Sequence, residues 1–183
     1  MPASKIIRFF SFWFYPLAAA ALLYAGKALG LRGLFVSAVW LFAAGLLIWT
    51  LIEYFMHRFL FHWHPRSRAM HKLVHELHLA HHAAPRDPDR ILARPEVSLP
   101  VSALVFGILF AVTRSFFPAA VIMAGIWTGF LYYEAIHYRL HRSAATAAFL
   151  GYQRRRHFRH HFVAEDRCFG VTTPLWDIIF GTF

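Results

Sequence analysis

The chain has 183 residues, is 58% hydrophobic with only 15% charged residues, and carries a formal charge of +10. That apolar share, which includes 20 phenylalanines, is high for a globular domain and points to one membrane-embedded domain. The single cysteine, Cys168, excludes an intramolecular disulfide framework and any cysteine-built zinc or iron–sulfur site.

The first residues are short and basic, with Lys5 and Arg8, and an apolar run follows over 9–29, broken only by Lys27. It is about the 20 residues that a bilayer crossing takes. The run opens as a signal peptide does, and Ala18–Ala21 add to that reading. Its length and its Phe, Trp and Tyr residues favour a retained span. Gly30–Gly33 predict a tight turn before a second span over 34–52. This helix is expected to continue past the hydrocarbon edge, carrying Glu53 and His57 with it.

A polar section, 53–96, follows, cut into short pieces by Pro65, Pro85, Pro88 and Pro95. Between the first two prolines, SRAMHKLVHELHLAHH reads as a helix. The third and fourth spans, 97–113 and 117–133, are joined by Arg114 and Ser115. This hairpin returns the chain to the side it left, so two histidine-rich sections share that side. Glu134–His141 extends the fourth span, Gly151–His161 predicts a further basic helix, and the second polar section runs over 134–183. The tail FGVTTPLWDIIFGTF is apolar but too short and broken to span. It is expected to pack against the cap or lie in the interface. Trp49, Tyr54, Tyr132 and Tyr133 fall where an aromatic belt would sit.

Among the 19 basic residues, only Lys27, Arg32 and Arg114 lie in the short connections, and all 9 acidic residues lie with the remaining basic ones on the opposite side. Positive-inside topology accounts for this without nucleic acid, and makes the histidine-rich face cytosolic.

The chain has 13 histidines. His78, His81 and His82 stand at i, i+3 and i+4, positions that share one helix face, so three imidazoles are expected to aim at one spot. His157, His160 and His161 repeat the spacing. Two pairs, His57 with His62 and His137 with His141, complete ten candidate metal ligands. Neutral imidazole suits first-row transition metals. Ten ligands are too many for one ion. Shared between two they give five each, leaving an open position on each octahedral metal for oxygen chemistry or an activated water. His57 and His62 are about 140° out of phase on a regular helix, so the helix either ends between them or holds a π-bulge. His64, His71 and His75 are not expected as ligands. Glu53, Glu76, Glu134, Asp166 and Asp177 are candidate orienting partners of ligand histidines, a solvated or salt-bridged carboxylate being an equal reading of each. No catalytic side chain beyond the metal ligands is required.

Five blocks, LIEYFMHRFLFH (51–62), HLAHHAAPRDPDR (78–90), HYRLH (137–141), HFRHH (157–161) and FGVTTPLWDIIFGT (169–182), resemble in order and spacing the fatty acid hydroxylase superfamily. The closest match is its fatty acid 2-hydroxylase branch. The resemblance implies an all-α polytopic membrane protein with about four transmembrane helices and a cytosolic helical cap, 53–96 and 134–183, holding a dinuclear histidine site. The whole chain, 1–183, would be one integral-membrane hydroxylase domain. It carries ligand roles onto the ten histidines named above. It implies two irons, O2 as co-substrate, and insertion of one oxygen beside an acyl carboxyl or amide carbonyl. Zinc favours the same imidazoles and could replace iron in purified protein, without redox activity. The chain begins almost directly with the first span, so no fused cytochrome b5-like domain is expected. Electrons are then expected from a separate cytochrome b5-like or ferredoxin-like donor, and the substrate from membrane lipid.

Other readings stay open at this stage. A carotenoid or sterol oxygenase would use the same site. A metal transporter or metal-binding membrane protein is a different class, and it would place ligands within the spans near the midplane. A zinc metallohydrolase would need no reductant.

Overall fold

Segments as apolar as these can enter a hydrocarbon layer only if every backbone N–H and C=O is paired within the segment, which a helix achieves. The computed structural model describes residues 5–28, 35–143 and 148–183. Among these residues the regular structure is helical, with no strand. The long helices are Phe10–Ala28, Phe35–Phe55, Pro95–Thr113 and Phe116–Arg142. Among the described residues three stretches are long and apolar enough to cross a membrane: Ser37–Phe61, Pro88–Thr113 and Phe116–Arg142. The first expected span forms a helix whose apolar part, Phe10–Ala25, is shorter. The expected turn at Gly30–Gly33 lies outside the described residues. The chain is thus an all-α membrane protein.

The predicted hairpin has a simple cause at its tip. Arg114 takes a left-handed conformation (φ 52°) and its N–H donates to Phe110 O at 2.9 Å, which closes the helix end at Thr113. Phe116 then starts the next helix.

Two compact units emerge. Among the described residues the first contains those up to Trp49 and Ala93–Leu131. In it the helices through Gly45 and Gly125 meet backbone to backbone. A Cβ on Gly45 would lie 2.2 Å from Ile122 O, and one on Gly125 would lie 2.3 Å from Phe42 O. Small residues permit such an approach between membrane helices. Nearby, Trp127 Nε1 donates to Ser102 Oγ at 3.1 Å, and Ser102 Oγ donates to the fully buried Tyr15 hydroxyl at 3.2 Å.

The second unit contains Thr50–Leu92 and Tyr132–Phe183. Its helices include Arg68–Val74, Ala80–Ala83, Ala148–Phe162 and Leu175–Ile179. Ile136, Leu140 and Val171 form an apolar cluster, with Tyr133 and Leu150 against it. The apolar tail packs inside this unit. Trp176 Nε1 donates to Thr50 Oγ1 at 2.9 Å, and Phe180 stacks on Tyr54 at 5.3 Å, while Ile178 and Ile179 stay exposed.

Candidate metal centre

Four stretches of the second unit carry the candidate ligands. The helix that begins at Phe35 does not stop at Phe55 but widens into a π-helical turn, Met56–Phe61. In a π-turn the repeat is i to i+5. His57 and His62 therefore stand about one turn apart and converge, which resolves their awkward spacing. The expected helix forms over 68–83 but is not regular, because a second π-helical stretch, His75–Leu79, interrupts it. His137 and His141 stand one α-turn apart on Phe116–Arg142, and the second triplet lies on Ala148–Phe162.

The ten side chains form two groups, one of His57, His62, His78, His82 and His160, the other of His81, His137, His141, His157 and His161. In each, one ligand atom per residue lies within 4.8 Å of all the others. The single spot expected for each triplet is thereby corrected. In both triplets the outer pair, i and i+4, joins one group and the middle histidine, i+3, joins the other. On a helix, i+4 lies about 40° past i while i+3 falls about 60° short of it, so one face divides into two directions. The triplets are interleaved: His160 crosses to the pair His78–His82, and His81 crosses to the pair His157–His161. The groups adjoin, with the His82 ring stacked on His161 at 4.1 Å.

It is Nε2 that points inward. His57 to His78, His82 to His78, His62 to His160, His137 to His81 and His161 to His157 all show Nε2···Nε2 distances of 3.0 Å. His81 to His141 is 3.1 Å and His141 to His157 is 2.7 Å. Such spacings match the edges of an octahedron about 2.1 Å in radius, the ordinary metal–imidazole distance. Two Nδ1 atoms fix the tautomer. His57 Nδ1 lies 2.5 Å from Phe169 O and His160 Nδ1 lies 2.7 Å from Arg167 O. A carbonyl only accepts, so both Nδ1 atoms carry the proton and both Nε2 lone pairs face the group centre. Five nitrogens so close cannot satisfy one another, since each N–H donates once. A cation at each centre resolves the conflict, so the residues fit a metal pair.

Burial keeps these rings neutral. It pushes His81, His82 and His161 down to about 2, and His62 and His160 to about 4, from an ordinary 6.5. It also drives His78 and His157 well down, and mutual repulsion between neighbouring imidazoles adds to the effect. Neutral imidazole is the form that ligates.

The five carboxylates separate by position. Glu53 is buried and accepts from Val171 N (2.6 Å), Thr172 N (2.9 Å) and Thr172 Oγ1 (2.5 Å). Asp177, fully buried, accepts from Phe169 N (2.8 Å), Gly170 N (2.9 Å), Thr182 Oγ1 (2.8 Å) and Arg156 Nη2 (2.6 Å). These two hold the segment 169–172, whose Phe169 carbonyl accepts the hydrogen bond from His57 Nδ1–H. Glu134 is fully buried, while Glu76 and Asp166 are exposed, Glu76 with His75 Nδ1 3.7 Å away. His64, His71 and His75 lie outside both groups.

The sequence reading missed Arg156 and Gln153. Arg156 is buried beside His157 and also donates to Gly170 O at 3.1 Å, and Gln153 Nε2 donates to Thr172 O at 2.6 Å. Their i, i+3 spacing on the inward side of the HFRHH helix was the available signal. Gly170 has no room for a side chain, since a Cβ would lie 2.2 Å from Thr173 O.

The family model described as fatty acid hydroxylase matches residues 42–182. A Rattus norvegicus protein named fatty acid 2-hydroxylase is 37% identical over 148 residues, covering 78% of this chain and 39% of that relative. The Arabidopsis thaliana dihydroceramide fatty acyl 2-hydroxylase FAH2 is 34% identical over 140 residues, with 76% and 59% covered. The Saccharomyces cerevisiae ceramide very long chain fatty acid hydroxylase SCS7 is 34% identical over 149 residues, with 80% and 38% covered. The chain thus spans between 38% and 59% of these relatives' own length. A solved structure described as full length scs7p, with only the hydroxylase domain visible, superposes with a TM-score of 0.83 at 34% identity. It covers 93% of this chain and 66% of the solved one.

Proposed function

The chain belongs to the fatty acid hydroxylase family, and on that premise we propose that it inserts one atom of O2 at the 2-position of a fatty acid or fatty acyl amide. The observation that carries this reading is the pair of adjoining five-histidine groups. Relatives named as hydroxylases of fatty acids and of ceramide acyl chains support the substrate class. They favour it over carotenoids, sterols and metal ions.

In this reading the ten histidines ligate two irons through Nε2, five to each. Two irons supply the redox chemistry that activates O2. The overall change converts R–CH2–C(O)X, O2, two electrons and two protons into R–CH(OH)–C(O)X and water. The chain's own residues do the rest. Phe169 O and Arg167 O keep the Nδ1 proton on His57 and His160, so that Nε2 stays free to ligate. Glu53 and Asp177 act on the ligands through the backbone of 169–172. Burial excludes water, which suits a site that must direct oxidation at an unactivated C–H bond. The entire chain serves as one integral-membrane hydroxylase domain with its histidine groups on the cytosolic face. The electrons come from a separate protein. Zinc would fit the same imidazoles and be inert in this chemistry.

Expression in a host with a compatible reductase, beside a His81→Ala variant, tests the reading by mass spectrometry of hydrolysed acyl lipids. New 2-hydroxy fatty acids in the parent protein alone are expected. Their absence from an iron-loaded protein with a working electron supply would sink it.

A further inference from the structure

Resting on that reading, the stoichiometry calls for two electrons per turnover, so a donor has to approach one histidine group. The helix Ala148–Phe162 turns Gln153, Arg156, His157, His160 and His161 inward. Its outward side presents Arg155, Arg159 and Phe162. A hollow of about 460 Å³ along that side is lined by Arg154, Arg155, Phe158, Arg159, Phe162 and Val163, among others. A second hollow, of about 430 Å³, is lined by Arg86, His141, Arg142, Ser143 and Arg154. Arg154 borders both, and His141, a member of a five-histidine group, helps line the second. Among the described residues no acidic side chain lines either hollow. Two of the guanidinium groups are anchored: Arg142 Nη1 donates to Arg86 O at 3.1 Å, Arg154 Nη1 donates to Ser143 O at 3.0 Å, and Arg154 lies over the Phe158 ring at 4.8 Å.

We propose that this face docks an acidic one-electron carrier protein, which delivers electrons singly by way of His141. Three features favour that partner. The surface has an aromatic and aliphatic centre within a cationic rim, the anatomy of a protein interface. Its charge complements an acidic partner and would steer it to the right patch. Its adjoining hollow leads to a candidate ligand, which a one-electron donor needs and an anionic lipid surface does not. The complex would be small and transient, as electron-transfer encounters are. Two dockings, each oxidising one reduced carrier by one electron, balance one hydroxylation.

The test uses the full, iron-loaded chain in phosphatidylcholine nanodiscs, with a soluble acidic cytochrome b5-type haem domain and its reductase as the donor. Arg155→Glu combined with Arg159→Glu is expected to raise the KM for the donor about tenfold or more and to flatten the salt dependence of the rate. Single-turnover 2-hydroxylation after dithionite reduction should be unchanged, and Arg155→Lys with Arg159→Lys should keep the parent KM. A donor with its acidic patch reversed should restore the double glutamate variant. An unchanged donor KM overturns the proposal, and so does a defect confined to nanodiscs containing phosphatidylserine. No 2-hydroxy product from the dithionite-reduced parent protein overturns the hydroxylase reading itself, and this proposal with it.

Discussion

At the residue scale the central feature is a set of imidazoles held neutral by burial. His62, His81, His82, His160 and His161 sit between about 2 and 4, against 6.5 for an ordinary histidine. The folded chain therefore binds fewer protons at these rings than the unfolded chain does. Their contribution to stability is complete above pH 6.5 and is lost as pH falls from there through the folded values, about 4 for His62 and His160 and about 2 for His81, His82 and His161. Protons and metal compete for the same Nε2 atoms, so bound metal is expected to follow the same direction. Metal analysis after dialysis at stepped pH should show retention above 6.5 and progressive loss only below it. Loss on raising the pH from 6.5 to 8 would contradict this. A second residue-scale prediction concerns the ion pair of Arg156 with Asp177, which is buried on both sides. Asp177→Asn leaves a guanidinium unpaired in the interior, at a cost of about 3–5 kcal/mol. A clear drop in melting temperature, with weaker metal retention through the loosened 169–172 segment, is expected in calorimetry and metal analysis. An unchanged melting temperature would show that the network is not structural.

The ten ligand candidates were legible in the sequence because i, i+3 and i+4 spacing is visible in a string of letters. Their division into two groups was not. It depends on which distant segments meet, such as His160 with His62, 98 residues apart. Nor were the groups that orient His57 and His160 legible. These are the carbonyls of Phe169 and Arg167, and every residue type offers a carbonyl.

At the element scale the long helices were readable from hydropathy, and the Arg114–Ser115 connection from its polarity. The π-turn at Met56–Phe61 was one of two readings of a five-residue spacing. The π-stretch at His75–Leu79 left no such trace, because His71, His75 and His78 already satisfy a regular helical spacing. The crossing at Gly45 and Gly125 was also silent in the sequence, since a glycine inside an apolar helix does not announce its partner. It carries a prediction of its own. Gly45→Leu or Gly125→Leu would place a side chain where a bare Cβ already meets backbone oxygen at 2.2 or 2.3 Å. The helices must separate, so loss of monodisperse folded protein is expected in size-exclusion chromatography of the detergent-purified variants. Gly107→Leu, with nothing within 4 Å of an added Cβ, is the matched control expected to behave normally.

At the scale of the whole molecule the proposed function joins a helical membrane protein to a chemistry that needs O2, electrons and a lipid. Hydropathy made the membrane character legible, and five sequence blocks carried the family. The acyl substrate and the site of hydroxylation rest on relatives and on the histidine groups together. The most direct measurement is isotopic. Iron-loaded protein, reduced and supplied with a fatty acyl amide under 18O2, should give a 2-hydroxy acyl product with the label in its new hydroxyl. Product whose hydroxyl oxygen comes from water, or turnover that persists without O2, would contradict the oxygenase assignment of the two histidine groups.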